Sequence, residues 1–145
     1  MRFRYPLQKI VDLKSIEKNH AEWMLSRALG ILRNEQSALR ELMEERDLVW
    51  EQLAESSART TVSQMKLLQE YADHLDRRIR RKSAEVDKAK AEVAEKQNEL
   101  AAKMKEEQVW TKVKEKAYEQ FVMTVRKKEQ DQLDEIALTR SVRTV

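Results

Sequence analysis

The chain has 145 residues and a formal net charge of +3, with 38% of its residues charged and 41% apolar. It contains one glycine (Gly30), one proline (Pro6) and no cysteine, which excludes disulfides, thiolate chemistry and Gly-rich phosphate loops, together with any loop-rich sheet fold. A mean hydropathy of -0.80 leaves too little apolar surface for a globular core, whereas two helices sharing one seam need far less.

The N-terminal run Met1-Arg2-Phe3-Arg4-Tyr5-Pro6 leads into charged helix without an apolar stretch of the kind a secretory signal needs. The first helix is expected over about 6–56, with Pro6 at its first position, where a fixed φ and a missing N–H fit. Apolar residues then recur at three- and four-residue spacing: Leu7, Ile10, Leu13, Ala21, Leu25, Ala28, Leu32, Leu39, Leu42, Val49 and Leu53. That is a coiled-coil seam. Gly30 interrupts it at a cost of about 1 kcal/mol relative to Ala. Glu35 and Arg46 also fall on seam positions, where the interface is expected to loosen.

Periodicity stops at Glu55-Ser56-Ser57-Ala58-Arg59-Thr60-Thr61, which places a turn at about 57–61. Thr61-Val62-Ser63-Gln64 then reads as a capping box opening a second helix over about 62–138, with a frayed tail at 139–145. Its seam runs Leu68, Ala72, Leu75, Ile79, Val86, Ala89, Val93, Leu100 and Met104, then shifts to Trp110, Val113, Ala117 and Phe121. A short connection makes the helices antiparallel. Folding about residue 59 sets Leu32 near Val86, Ala28 near Ala89, Leu25 near Val93 and Ala21 near Gln97, so apolar meets apolar over most of that register. The expected fold is therefore all-α, a single domain over 1–145. It is a long antiparallel two-helix coiled-coil hairpin whose second helix overhangs the N-terminus.

Glu17-Lys18-Asn19-His20 has the Glu-x-x-His spacing of di-iron bundles, but His74 has no matching motif, so both histidines read as solvated and no metal or cofactor is expected. No motif brings the groups of an active site together, and a two-helix hairpin lacks a water-excluding cavity; the reading is non-enzymatic. Asp76-Arg77-Arg78-Ile79-Arg80-Arg81-Lys82 is the sharpest charge cluster, with Lys82 on a seam position. It reads either as a solvated face or as a docking patch for an acidic partner. Trp110, Tyr118, Phe121, Val122, Met123 and Val125 form the densest apolar group. The register leaves Phe121 and Val125 without a facing partner on the first helix, which points to a protein-binding or dimerising surface.

The run Phe3-Arg4-Tyr5-Pro6-Leu7-Gln8-Lys9-Ile10-Val11-Asp12-Leu13-Lys14 with Glu17-Lys18 resembles the opening of FliJ-type flagellar export proteins. Glu95-Lys96-Gln97, Lys114-Glu115-Lys116 with Phe121, and Asp134-Glu135-Ile136-Ala137 extend the resemblance. It implies a stalk component of the flagellar type III export apparatus, shaped like the central coil of rotary ATPases. The implied partners are the hexameric export ATPase, the export-gate membrane protein and export chaperones. The implied location is cytoplasmic, held peripherally at the inner membrane by the apparatus, with no direct membrane insertion, no nucleic acid, and a monomer when isolated. By the same resemblance the ATPase ring would meet Phe3, Leu7, Trp110, Tyr118, Phe121 and Val125. The gate would meet Tyr71 and Leu75, with Arg78 and Lys82 one and two turns on.

Three rival readings remain at this point: the equivalent stalk of a virulence injectisome, a homodimeric structural coiled coil, and a basic helical nucleic-acid binder acting through Arg77, Arg78, Arg80 and Arg81.

Overall fold

The computed structural model describes residues 2–56 and 61–143. It contains two helices, α1 (Gln8–Ser56) and α2 (Val62–Arg143), and no strand among the described residues. The fold is the expected all-α helical hairpin with the second helix longer. The predicted turn at 57–61 lies outside the described residues except for Thr61.

Both starts have local causes. α1 opens at Gln8, two residues after the expected Pro6, because Pro6 and Leu7 form a turn first. The Gln8 N–H donates to the Tyr5 carbonyl at 3.1 Å and the Val11 N–H to the Leu7 carbonyl at 3.2 Å. The Gln8 side chain adds a 2.8 Å hydrogen bond to Asp12 Oδ1 within the first turn. At α2, the Thr61 hydroxyl accepts the Gln64 N–H at 3.3 Å while its carbonyl accepts the Met65 N–H at 3.1 Å. Thr61 is the N-cap. The far end of α2 differs from expectation: helix continues to Arg143 rather than fraying from residue 139. No Gly or Pro follows to stop it, and Thr139 donates its hydroxyl to the Glu135 carbonyl at 2.8 Å instead of leaving the helix.

The chain divides into two compact units, Met1–His20 with Ala101–Val145, and Ala21–Leu100. In the Ala21–Leu100 unit, Leu42, Val49, Ala72, Leu75 and Ile79 form one apolar cluster, with Leu39 and Leu53 packed against it. Leu75 is fully buried, and Ala21, Ala28, Val86, Ala89 and Val93 carry the same seam onward. Each is a residue of the predicted seam. Burying a leucine of this kind stabilises by roughly 1.5–3 kcal/mol. Glu45 meets Tyr71 and Glu35 meets Lys82, so rising numbers on α1 face falling numbers on α2. The two helices run antiparallel here.

The seam does not loosen at Glu35 and Arg46 as expected. Lys82 Nζ lies 3.0 Å from Glu35 Oε2 and 2.8 Å from Glu85 Oε2, and Arg46 reaches Asp76 at 3.8 Å. Charged seam residues on one helix are answered by opposite charges on the other. An unpaired charge there would lose hydration without compensation, and the pairing removes that penalty.

In the unit Met1–His20 with Ala101–Val145, Lys14 pairs with Glu106 at 3.2 Å and Glu17 with Lys103 at 3.3 Å, again antiparallel. Lys18 pairs with Glu107 at 3.4 Å. From Arg126 to Val142 every side chain on α2 is exposed, so this stretch runs on without a facing helix.

Candidate interaction surfaces

The first surface lies in the unit that contains both ends of the chain. Residues 2–5 precede α1 without regular secondary structure, and the Pro6-Leu7 turn lies between them and the helix. The Phe3 ring sits edge-on to Tyr118, with centroids 5.2 Å apart, and tilted against Phe121 at 5.3 Å. Tyr5 stacks on Phe3 at 6.2 Å. Aromatic pairs at such separations contribute about 0.5–1.5 kcal/mol beyond area burial. Phe121, unpartnered on the sequence register, is therefore met by the segment that precedes α1. Phe3, Trp110, Phe121 and Val125 are half-buried, while Tyr118 and Leu7 remain exposed. A groove of about 580 Å³ opens beside this cluster, lined by Phe3, Thr111, Lys114, Glu115, Tyr118 and Glu119. Phe3 and Tyr118 give it an apolar lining, and Lys114, Glu115 and Glu119 add charge of both signs. Beyond it Met123, Leu133, Ile136, Leu138 and Val142 are all exposed.

The second surface lies on the Ala21–Leu100 unit. Tyr71 is 41% exposed and donates its hydroxyl to Glu45 of α1. That hydrogen bond, with burial and the Glu45 charge adding to it, holds the phenol above its usual value, while nearby Arg78 pulls the other way. Arg78 is exposed. Lys82 is held by Glu85 and Glu35, and these partners raise its pKa despite some burial. Leu75 is placed differently. It is 0% exposed at the centre of the apolar cluster, whereas Tyr71, four residues before it, lies at the edge. A partner approaching this face meets Tyr71 and Arg78, not Leu75.

Among the described residues, no group of three or more His, Cys, Asp or Glu stands close enough to hold a metal ion. No helix there is long and apolar enough to cross a membrane. What the molecule offers is surfaces.

The flagellar FliJ protein family model matches residues 3–144. The chain belongs to the FliJ family. Membership associates it with the type III export apparatus. Among solved structures, a YscO homolog from Chlamydia trachomatis is similar at 24% identity and a TM-score of 0.60, covering 94% of this chain and 93% of that one. That likeness concerns the fold. No curated protein matches this FliJ-family chain at a significant level.

Two partners escaped the sequence reading. Glu45, which accepts the Tyr71 hydroxyl, was in principle findable, because the fold about residue 59 sets Tyr71 opposite Asp47, within one helical turn of Glu45. Tyr5 was not, because the stacking of a segment that precedes α1 leaves no periodic signal.

Proposed function

We propose that this chain is a non-enzymatic stalk and coupling component of the flagellar type III export apparatus. It binds the hexameric export ATPase ring and promotes its assembly and hydrolysis, engages the export-gate membrane protein, and escorts export chaperones. The observation that carries the reading is the FliJ family match across nearly the whole chain. The ring-facing surface is the aromatic group of Phe3, Tyr118 and Phe121, with Leu7, Trp110 and Val125 around it. Its support is an exposed aromatic and a groove on a unit whose α2 continues without a facing helix. The gate-facing surface is Tyr71 with Arg78 and Lys82. Leu75 serves it from beneath by fixing the helix.

A stalk of this kind works without chemistry of its own. It shifts the ring's conformational equilibrium by binding one state more tightly than another, and the energy comes from ATP hydrolysed by the ring. The protein is held at the inner membrane through its partners and is a monomer when isolated.

The test adds the purified chain to an export ATPase at substoichiometric amounts and follows hydrolysis and ring assembly. Stimulation that Phe121→Ala weakens is expected. No change in either measure, under conditions where an established stalk works, overturns the reading. The injectisome equivalent is the second reading, favoured by the fold it shares with the YscO homolog; stimulation of an injectisome ATPase alone would select it.

A further inference from the structure

Arg77, Arg78, Arg80 and Arg81 are all exposed on α2, and among the described residues none of them forms an ion pair. Elsewhere on the two helices Lys14, Lys18, Arg46, Lys82, Lys96 and Lys103 do form ion pairs. Two of the carboxylates nearest in sequence are committed elsewhere. Asp76 is held by Arg46 of α1 and Glu85 by Lys82, while Asp73, four residues before Arg77, makes no pair with it. At about 100° per residue the four arginines span an arc of roughly 160° around α2, with Ile79 alone turned into the seam. Like charges three and four residues apart disfavour a helix, and this cluster contains three such pairs: Arg77 with Arg80, Arg77 with Arg81, and Arg78 with Arg81. The fold gains nothing visible in return.

We propose that Arg77, Arg78, Arg80 and Arg81 form a docking belt for a carboxylate-rich protein surface. A guanidinium presents a planar fork that binds a carboxylate with two parallel hydrogen bonds, and four on one short arc suit a concave acidic cleft. A flat anionic bilayer touches only part of a 160° arc. Nucleic acid is disfavoured by Glu70, Asp73 and Asp87, which remain exposed on the same helix. The belt does not depend on the export reading, though it shares Arg78 with the gate-facing set.

The experiment compares the full chain with two variants of equal charge. The belt variant is Arg77→Gln/Arg78→Gln/Arg81→Gln, and the control is Arg126→Gln/Lys127→Gln/Lys128→Gln. Binding is measured to polyglutamate, to phosphatidylglycerol-containing vesicles and to a duplex oligonucleotide. The belt variant is expected to lose polyglutamate affinity about tenfold, and the control twofold or less. Its melting temperature is expected to hold or rise as like-charge repulsion is relieved. Equal losses in the two variants overturn the belt. A fall in melting temperature shows instead that the arginines serve the fold, and overturns it too. Belt-dependent binding that is tighter to vesicles or to the duplex overturns the carboxylate assignment.

Discussion

Lys82 of α2 lies 3.0 Å from Glu35 of α1, and each of the two occupies a position that the heptad pattern reserves for an apolar side chain. The pair sits between apolar layers that include Ile79 on one side and Val86 on the other, both buried. Two charged seam residues that read as defects when each helix is considered alone become one complementary layer. Its consequence is register: sliding either helix would set Glu35 or Lys82 against apolar neighbours.

Replacing both residues with leucine is therefore expected to leave the melting temperature unchanged or raised. Glu35→Leu alone and Lys82→Leu alone are expected to lower it, Lys82→Leu more, since it also strips Glu85 of its partner. Thermal unfolding followed by circular dichroism checks the cycle. A double variant less stable than both singles would show that the pair contributes more than mutual compensation.

Gly30 lies inside α1 with no positive φ, and a Cβ added there meets nothing within 4 Å. Gly30→Ala is expected to stabilise the protein by about 0.5–1 kcal/mol, by reducing the freedom of the unfolded chain. Urea denaturation measures it. The same substitution is expected to leave ATPase stimulation unaltered.

The titrating groups predict opposite behaviour in acid and base. Hydrogen bonding to Lys14, and the charges of Lys103 and Lys14, hold Glu106 below the usual carboxylate range. Its contribution to stability is present above that range and is lost as the pH falls through the depressed value. Tyr71 is raised by Glu45, so its contribution is present below the usual phenol value and is lost as the pH rises through the folded one. Absorbance titration of the phenols should show the Tyr71 step shifted down in Glu45→Gln, and added salt should flatten the acid limb.

Phe3→Ala removes the ring that joins Tyr5 to Tyr118 and Phe121. The near-ultraviolet circular dichroism signal is expected to fall and amide exchange over residues 8–11 to quicken, at a cost of about 1–3 kcal/mol confined to that unit. Leu42 and Leu75 lie in the other unit, so exchange around them should hold.

The amino-acid sequence alone determined the two helices, their antiparallel sense and the apolar residues that meet. A three-to-four spacing admits only one buried face, and a chain with one Gly and one Pro has few places to turn. The Thr61 cap was legible for the same local reason. Tertiary structure decided what spacing cannot encode. Seam charges at Glu35 and Arg46 found partners on the other helix, because pairing depends on what faces a residue rather than on what neighbours it in sequence. Tyr71 stayed at the edge of the core, where its hydroxyl met Glu45 of α1. Phe121 was met by Phe3, since a segment outside regular secondary structure packs by shape and carries no period to read.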